Sequence, residues 1–385
     1  MAEHEHRHTL YEAEEFIDAP PDAPIPEREV SLTRRVFNLR TVLSVVFALA
    51  LLALAFRTLG VNLGRTWDLI SGANLGLLAL AFVAYYLTFP VRGFRWRYVL
   101  SRTGTQVGYR DATEILFLSW FVNCVVPAKL GDLYRAYLLK GNYGASASRT
   151  VGTIFIERIA DIVVIFGLAL AAGFWSFRNT ERAAVVDTVY LIGFILAVVL
   201  VVLVIVLRVW GANLSRWLPA RVGELWDRFH EGSTGALTVR TLPVLLVTTG
   251  TIWLLEGLRL FFVIRAMDLA GVQIGISASV FVALAAALLT AVPLTPAGVG
   301  FVEVGIAGAL WIYNVTGDAA AAIALTDRGI SILTVIVLGG IFFALSPKVR
   351  RAHSRGAAGG GNGGAAGRGR SERSTRAGRA SPPAS

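Results

Sequence analysis

Charged residues are scarce in this chain, at 16% of 385 residues, against about 25% in an average soluble domain. Hydrophobic residues make up 55% of the chain. Such a chain has too few polar side chains to cover a large soluble domain, which argues against a soluble enzyme or soluble binding module of this length. The composition instead predicts a polytopic membrane protein whose helices span the bilayer.

Cysteine and histidine are also rare. The single cysteine, Cys124, excludes an intrachain disulfide and any metal site built from several cysteines. Three histidines alternate near the N-terminus, where a solvated tail is favoured over a metal site, and His230 and His353 stand alone. We therefore predict no metal and no cofactor.

The net charge of +10 comes mostly from arginine, because the chain contains few lysines. The arginines cluster beside apolar runs and in the C-terminal tail, a distribution that suits anionic lipid surfaces rather than nucleic acid. We expect the basic loops and the tail to contact anionic lipid, and we expect no nucleic-acid partner.

The apolar segments divide the chain into three regions. Residues 1–38 are predicted to form a disordered cytoplasmic arm, residues 39–346 a transmembrane domain, and residues 347–385 a disordered basic tail rich in Gly, Arg and Ser. Within the domain, residues at about 213–230 carry apolar side chains three and four positions apart. This spacing predicts an amphipathic helix that lies in the membrane interface.

Six apolar runs are predicted to span the bilayer, whose hydrocarbon core is about 30 Å thick. Arginines precede the first run and follow the second, so the positive-inside rule places both termini in the cytoplasm of a multi-pass cell-membrane protein. In that topology Arg92 and Arg95 are cytoplasmic, because they follow the second span. The predicted spans are approximately 41–59, 75–90, 150–175, 188–207, 242–263 and 328–345.

Two further apolar stretches are interrupted by proline. Residues 112–140 break at Pro127, and residues 277–314 break at Pro293 and Pro296, where proline cannot continue a helix. We therefore expect an all-α polytopic membrane protein with about six full transmembrane helices and two re-entrant helical hairpins. The alternative is eight simple spans, in which each interrupted stretch crosses the bilayer once.

The interrupted stretches repeat the same order of features. In each, a glycine-rich turn is followed by an acid at the start of a helix and then by an acid–Arg pair. Gly131 and Arg158 are 27 positions apart, and Gly300 and Arg328 are 28 positions apart. Interrupted hydrophobic segments in both halves of a chain indicate a transport site between repeats. We predict repeats at about 85–165 and 250–335, inverted if the hairpins re-enter and parallel if they cross.

Ionisable side chains within apolar helices cost about 2.5–3.5 kcal/mol each on insertion scales, so they are normally retained for function. Arginine can hold a phosphate through paired N–H donors, and nearby acids can orient the arginine or bind a coupling proton or cation. We predict that a lipid phosphate lies between Arg158 and Arg328. The predicted substrate-binding residues are Arg158, Arg328, Arg259, Glu157, Asp161, Glu256, Glu303, Asp132, Arg135 and Asn123.

A second set of residues is predicted to break helices so that backbone N–H groups point into the site. These residues are Pro127, Gly131, Pro293, Pro296, Gly298 and Gly300. With Asp327 included, six acids face four arginines in the apolar segments, which predicts that some acids are protonated or neutralised by a cation. The simpler alternative is that each arginine pairs with an acid for packing only, and that the breaks are only kinks.

Three short motifs resemble a known family. They are NCVVPAKLGDLYR at Asn123–Arg135, ERIAD at Glu157–Asp161 and PLTPAGVGFVE at Pro293–Glu303. Their order along one hydrophobic chain, over roughly residues 40–346, resembles the flippase-like family built on the transmembrane domain of lysylphosphatidylglycerol synthases. Family members more often carry G-E-x-x-R after the first break, where this chain has GDLYR, a conservative departure.

The resemblance implies a flippase that moves an anionic phospholipid or a polyprenyl-phosphate-linked lipid between leaflets through a groove with buried acid–Arg pairs. Bifunctional family members carry an aminoacyl-transferase region after the membrane part, where this chain has only its tail. We therefore expect no synthase chemistry and no enzyme activity, with a lipid-modifying enzyme as a separate partner. Two alternatives stay open: a membrane transferase that acts on a lipid-phosphate carrier, and a non-transporting membrane scaffold.

Overall fold

The computed structural model describes the helical body of the chain. It covers residues 39–58, 60–126, 130–177, 213–269, 272–289, 295–315 and 317–352, with isolated positions between 191 and 211 and at Ser354. Outside these residues lie Pro127, Pro293, the predicted arm, most of the predicted span 188–207 and most of the predicted tail.

The regular elements in the described residues are helical. The α-helices are α1 (Leu39–Thr58), α2 (Leu63–Ser71), α3 (Leu75–Arg102), α4 (Tyr109–Val125), α5 (Leu130–Tyr143), α6 (Ala147–Phe177), α7 (Ala220–Ala236), α8 (Leu242–Ala266), α9 (Ile276–Leu289), α10 (Phe301–Trp311), α11 (Gly317–Arg328) and α12 (Thr334–Leu345). Short 3-10 turns at Ser215–Trp217 and Pro296–Gly298 precede α7 and α10, and a π-helical turn at Gly329–Leu333 joins α11 to α12.

Within the described part of the chain, three helical segments are long and apolar enough to cross a membrane. They are α3, α8 and the continuous helix from Gly317 to Leu345 that contains α11, the π-helical turn and α12. These segments and the shorter apolar helices around them confirm an all-helical, polytopic membrane protein.

Helix α3 differs from the predicted second span. It continues through Pro90 to Arg102, so Arg92 and Arg95 lie inside it, and these two residues are only 2% and 3% exposed. The prediction that both arginines follow the span was wrong, because acids on other helices offset the cost of burying them. The last span was also predicted too short, since its helix begins at Gly317.

Helices α3 and α8 pack against each other in antiparallel directions. Near one end the Asn74 amide donates a hydrogen bond to the Ala266 carbonyl (2.8 Å), and near the other the Tyr98 hydroxyl donates to the Arg240 carbonyl (3.3 Å). Helices α3 and α8 are each the first member of a similar set of elements, which consists of a long helix, two short helices and another long helix. The sets are α3–α6 and α8–α12, and their first helices run in opposite directions.

Helices α4 and α5 form an antiparallel hairpin, hairpin 1. Near its tip the Ser119 hydroxyl donates to the Gly131 carbonyl (2.7 Å), and the Gly131 amide donates to Asn123 Oδ1 (2.8 Å). At its open end the Tyr143 hydroxyl donates to the Asp111 carboxylate. The helices contain 17 and 14 residues, so at about 1.5 Å per residue each is shorter than a 30 Å hydrocarbon core.

The open end of hairpin 1 lies against the segment that follows α12, and we call this the first end of the molecule. Lys348 Nζ lies 2.8 Å from Asp111 Oδ1 and 2.5 Å from Glu114 Oε2. Residues 347–352 are helical, and Ala352 is fully buried. These residues therefore belong to the folded domain, and the prediction that disorder begins at residue 347 was wrong.

Helices α9 and α10 form hairpin 2, the second interrupted pair, and pack against each other. Its tip passes through Ala297, Gly298 and Gly300, whose φ angles of 50°, 71° and 89° lie in the region that favours glycine. The Gly300 amide donates to Glu303 Oε2 (2.6 Å), which caps the start of α10. The helices contain 14 and 11 residues, so each is again shorter than a bilayer core.

The open end of hairpin 2 lies at the opposite, second end of the molecule. Helix α9 follows the end of α8, where Ala266 contacts Asn74 at the start of α3. Helix α10 leads into α11, whose Asp318 carboxylate accepts a hydrogen bond from the Asn62 amide (2.6 Å). The two hairpins therefore enter the helical body from opposite ends.

The amphipathic segment predicted at 213–230 corresponds to the first 3-10 turn and α7. Helix α7 packs on α6 near the first end, where the Ser233 hydroxyl donates to the Gly152 carbonyl (3.3 Å). Trp217, in the 3-10 turn, is 87% exposed. Its location in a membrane interface stays a prediction.

Candidate functional site

Arginines and acids from six helices form ion pairs between the two hairpin tips. Most of their side chains are buried, and each arginine contacts at least one acid. The arginines are Arg92, Arg95, Arg135, Arg158, Arg259 and Arg328, and the acids are Asp132, Glu157, Asp161, Glu256, Glu303 and Asp327.

Arg158 on α6 binds Asp132 through two hydrogen bonds. Arg158 Nε lies 3.0 Å from Asp132 Oδ2, and Nη2 lies 2.7 Å from Oδ1. Arg158 Nη1 also lies 3.4 Å from Asp161 Oδ2. The Arg158 and Asp132 side chains are 29% and 18% exposed, so this pair is more accessible than the other pairs between the hairpin tips. Asp132 reaches the site because it lies in the first turn of α5, directly after the tip of hairpin 1.

Arg95 and Arg135 lie behind that pair. Arg95 Nη1 donates to Asp161 Oδ1 (2.6 Å) and to the Thr249 hydroxyl of α8 (2.7 Å). Arg135 Nη2 donates to Glu157 Oε2 (2.6 Å), and Arg95 Nε lies 3.4 Å from Glu157 Oε1. These contacts join α3, α5, α6 and α8 into one ionic cluster. Sequence reasoning missed Arg95 because its partners lie far along the chain.

Arg259 has the corresponding position in the second set of helices. Its Nε and Nη2 donate to the two carboxylate oxygens of Asp327 on α11, at 2.7 and 2.9 Å, and its Nη1 donates to Glu256. The guanidinium also lies 5.2 Å from the centre of the Tyr85 ring on α3. Arg259 therefore links α8 with α11 and contacts α3.

Arg328 ties α11 to the tip of hairpin 2. Arg328 Nε donates to Glu303 Oε1 (3.1 Å), and Nη2 donates to the Ala297 carbonyl in the tip. Glu303 contacts the tip as well, through the Gly300 amide. Gly300 and Glu303 thus fix the tip, while Arg328 connects it to the long helix.

Arg92 joins the two sets of helices. Its Nη2 donates to Glu256 Oε1 on α8 (3.1 Å), and its guanidinium lies 4.4 Å from the centre of the Trp120 ring and 5.8 Å from that of Trp253. Arg92 Nε and Trp253 Nε1 are buried and have no hydrogen-bond acceptor among the described residues. Arg92 is the second functional candidate that sequence reasoning missed. A signal was available, because Arg92 and Arg95 are three positions apart and so share a helix face, as Glu256 and Arg259 do.

The ion pairs repeat between the two sets of helices. Asp132, after the first tip, pairs with Arg158 26 positions later, and Glu303, after the second tip, pairs with Arg328 25 positions later. The residue before each of these arginines, Glu157 or Asp327, contacts an arginine on the first helix of its own set, Arg95 or Arg259. This repeated pattern supports the predicted correspondence of the two halves.

A cavity of about 350 Å³ lies between the hairpin tips. Trp120, Trp253 and Tyr85 line it together with residues of both tips, so both halves of the chain contribute to it. The predicted site residues in its lining are Asn123, Asp132, Arg158, Asp161, Glu256, Arg259, Gly298 and Arg328.

Other predicted site residues have different positions. Arg135, Glu157 and Glu303 are buried behind the lining and hold the arginines or the tip in place. Gly131 packs within hairpin 1, where a Cβ would lie 2.0 Å from the Ser119 carbonyl oxygen. Pro296 begins the 3-10 turn at the tip of hairpin 2.

The charge balance of the site differs from the prediction. Six arginines and six acids participate, so the predicted surplus of two acids disappears once Arg92 and Arg95 are included. Each described acid of the site contacts at least one arginine. The argument for a protonated acid or a bound cation therefore no longer holds.

Comparison with known proteins gives a consistent result. The family described as "Lysylphosphatidylglycerol synthase TM region" matches residues 41–339. The chain is 33% identical to a UPF0104 membrane protein of Methanocaldococcus jannaschii over 58% of this chain and 93% of that protein. It is 26% identical to a UPF0104 membrane protein of Methanothermobacter thermautotrophicus over 77% of this chain and 91% of that protein.

A third similarity is to part of a longer protein. The chain is 33% identical to Glycosyltransferase AglD of Haloferax volcanii, over 36% of this chain and 21% of that protein. The family match covers most of the chain and includes both hairpins and every ionic residue of the site. The chain therefore belongs to the family of the lysylphosphatidylglycerol synthase transmembrane region.

Proposed function

We propose that this protein is a lipid flippase that moves a phosphate-bearing lipid between the leaflets of the cell membrane. The observation that carries the proposal is the cavity of about 350 Å³ between two hairpin tips, lined by arginines that can hold a phosphate. The lipid tail stays in hydrocarbon while the head group occupies the cavity. Charge-assisted hydrogen bonds from fixed arginines replace the hydration that the phosphate loses.

The antiparallel contacts of hairpin 1 support re-entry rather than crossing, since both of its ends lie at the first end of the molecule. The opposite directions of α3 and α8 support an inverted repeat. We propose six full spans and two re-entrant hairpins. Rocking of one set of helices against the other would then expose the cavity to each leaflet in turn.

The distribution of basic residues supports a cytoplasmic first end. By the positive-inside rule, the side richer in Arg and Lys faces the cytoplasm. Among the described residues, the basic residues of the second end are Arg57, Arg65 and Arg265, and those of the first end include Arg102, Arg110, Arg149, Arg228, Arg240, Lys348, Arg350 and Arg351. We propose that both termini are cytoplasmic, because α1 begins and α12 finishes toward the first end.

The test is transport by the purified full chain in vesicles. Arg158→Lys is expected to lower the rate of leaflet exchange of a labelled phospholipid by about tenfold or more, the effect of roughly 1.4 kcal/mol. Lysine presents a point charge and cannot reproduce the two parallel bonds to Asp132. Arg265→Lys is the control, because Arg265 is exposed at the end of α8. Equal rates for wild type and Arg158→Ala contradict a flippase.

A second candidate function is favoured by the similarity to Glycosyltransferase AglD. That similarity covers about a fifth of the relative, so the shared part is a membrane segment within a larger protein. Here the cavity would present a lipid-phosphate carrier to a transferase rather than move it. In that case, Arg158→Ala would abolish binding of the lipid, while wild-type protein alone in vesicles would move none. A pure scaffold would tolerate Arg158→Ala in both assays.

A further inference from the structure

The four arginines that line the cavity differ in how many of their N–H groups are bonded to the protein. Arg158 and Arg259 each bond to acids through all three guanidinium nitrogens. Arg328 bonds through two of them, to Glu303 and to the Ala297 carbonyl. These three arginines therefore use most of their donors to hold elements of the protein together.

Arg92, the fourth, has fewer bonds. It is 2% exposed, and among the described residues its guanidinium donates one hydrogen bond, from Nη2 to Glu256 Oε1 (3.1 Å). That acid is shared, because its other carboxylate oxygen accepts a hydrogen bond from Arg259. Arg92 Nε is buried and has no acceptor in the described part of the chain. Arg92 is thus the arginine of the lining with a buried donor left for a ligand.

A second donor of this kind lies beside Arg92. Trp253 Nε1, on α8, is buried and also has no acceptor among the described residues. Several buried polar atoms of the described chain lack a partner, but of their residues only Arg92 and Trp253 line the cavity. The Arg92 guanidinium lies 5.8 Å from the centre of the Trp253 ring. Because buried N–H groups normally have an acceptor, the pair indicates that a bound molecule supplies one.

We infer that Arg92 and Trp253 bind the phosphate of the ligand, in place of the predicted position between Arg158 and Arg328. A phosphate has several acceptor oxygens, so one group can accept from both donors, and its charge strengthens both bonds. The Arg92 guanidinium is held 4.4 Å from the centre of the Trp120 ring, which fixes it toward the cavity. The inference rests on the proposed function, because it names the residues that hold the head group.

Trp253→Phe tests this subsite, because it keeps an aromatic ring and removes only the indole N–H as a donor. The detergent-solubilised full chain is titrated in a calorimeter with dihexanoyl phosphatidic acid and with dihexanoylglycerol, which has the same tails and no phosphate. We expect Trp253→Phe to weaken binding of phosphatidic acid by about tenfold, the effect of losing one hydrogen bond to a charged group. Binding of dihexanoylglycerol should not change.

The matched control is Trp96→Phe. Trp96 Nε1 is likewise buried without an acceptor among the described residues, but Trp96 does not line the cavity. We expect Trp96→Phe to bind phosphatidic acid as the wild type does. An equal loss in both variants would show a general effect of packing and overturn the inference, and so would wild-type affinity in Trp253→Phe.

Arg92→Lys provides a second, independent variant. Lysine keeps a positive charge near Glu256 but lacks the Nε donor and the planar fork, so we expect binding of phosphatidic acid to weaken by about tenfold or more. Arg97→Lys, at an exposed position on the same helix, is the control. If Arg92→Lys does not fold, the comparison of Trp253→Phe with Trp96→Phe decides alone. Wild-type affinity in a folded Arg92→Lys protein contradicts the subsite.

Inorganic phosphate separates a lipid ligand from a soluble one. If it binds as tightly as phosphatidic acid and Trp253→Phe weakens it equally, the subsite holds and its ligand is soluble, which contradicts a flippase. If Trp253→Phe moves a labelled phospholipid between leaflets and binds phosphatidic acid as the wild type does, the flippase holds and the subsite is wrong. Equal affinity of the wild type for phosphatidic acid and dihexanoylglycerol would show that the two donors recognise no phosphate, and would also overturn the inference.

Discussion

Arg95 shows how a single side chain holds several helices. It is 3% exposed, donates from α3 to Asp161 on α6 and to Thr249 on α8, and lies 3.4 Å from Glu157. Removal of one partner from such a buried network leaves the other charges uncompensated, and this typically costs about 3–5 kcal/mol. Arg95 is therefore a structural residue that positions the acids next to Arg158.

Arg95→Met is expected to destabilise the protein by about 3–5 kcal/mol, because Asp161 loses its shortest ion pair. The measurement is thermal unfolding in detergent, followed by tryptophan fluorescence. Arg97→Met is the matched control, since Arg97 lies two residues away on the same helix and is exposed. The double variant Arg95→Met/Asp161→Asn should recover part of the loss. Equal melting temperatures for Arg95→Met and Arg97→Met would show that the cluster adds no stability.

The hairpins are the elements that define the cavity, and hairpin 1 depends on one close approach. A Cβ on Gly131 would lie 2.0 Å from the Ser119 carbonyl oxygen and 2.6 Å from Asn123 Oδ1. The Gly131 amide donates a hydrogen bond to Asn123 Oδ1, and the Gly131 carbonyl accepts one from the Ser119 hydroxyl. A larger residue would therefore push α5 away from α4 and move Asp132, which follows directly in the chain.

Gly131→Ala is expected to lower stability by about 1–3 kcal/mol, the usual cost of overpacking, and to weaken lipid binding because Asp132 moves. Thermal unfolding and lipid titration of the same sample measure both effects. The control is Gly167→Ala in α6, where a Cβ meets no atom within 4 Å and alanine favours the helix. Wild-type stability and binding in Gly131→Ala would contradict the packing seen at the tip.

The long helices that follow the hairpins differ between the two sets. Helix α6 is continuous, whereas α11 and α12 are joined by a π-helical turn directly after Arg328. Inside this turn the Ser331 carbonyl accepts a hydrogen bond from the Tyr85 hydroxyl of α3 (2.9 Å). Because π-helical turns often occur at functional sites, this turn supports the placement of the site beside Arg328.

At the scale of the whole molecule, the proposed inverted arrangement has a direct test. Gln106 precedes hairpin 1 at the first end, Gln273 precedes hairpin 2 at the second end, and both are exposed. In a Cys124→Ala background, Gln106→Cys should react with an impermeant thiol reagent only from the cytoplasmic side, and Gln273→Cys only from the other side. The inverted repeat predicts opposite sides because an odd number of spans separates the two positions. Labelling of both cysteines from one side would indicate parallel repeats.

Local features of the sequence were sufficient to predict much of this protein. Low charge and long apolar runs predict helices in a membrane, and Pro127, Pro293 and the glycines beside them predict the interruptions, because composition and helix breaks act within a few residues. The resemblance in three motifs was confirmed by the family match. Asp132 reached the cavity because it directly follows a break, and Arg158 and Arg328 reached it because each pairs with an acid that follows a break.

Contacts between distant parts of the chain were decided by the folded structure. From the sequence, Arg92 and Arg95 were predicted to follow a span. In the structure Arg92 pairs with Glu256, 164 positions away, and Arg95 pairs with Asp161, 66 positions away. A charged side chain inside the hydrocarbon is stabilised when it forms an ion pair with an opposite charge. Whether such pairs form here depends on how α3, α6 and α8 pack. For the same reason, the equal number of arginines and acids in the site follows from three-dimensional packing rather than from residue order.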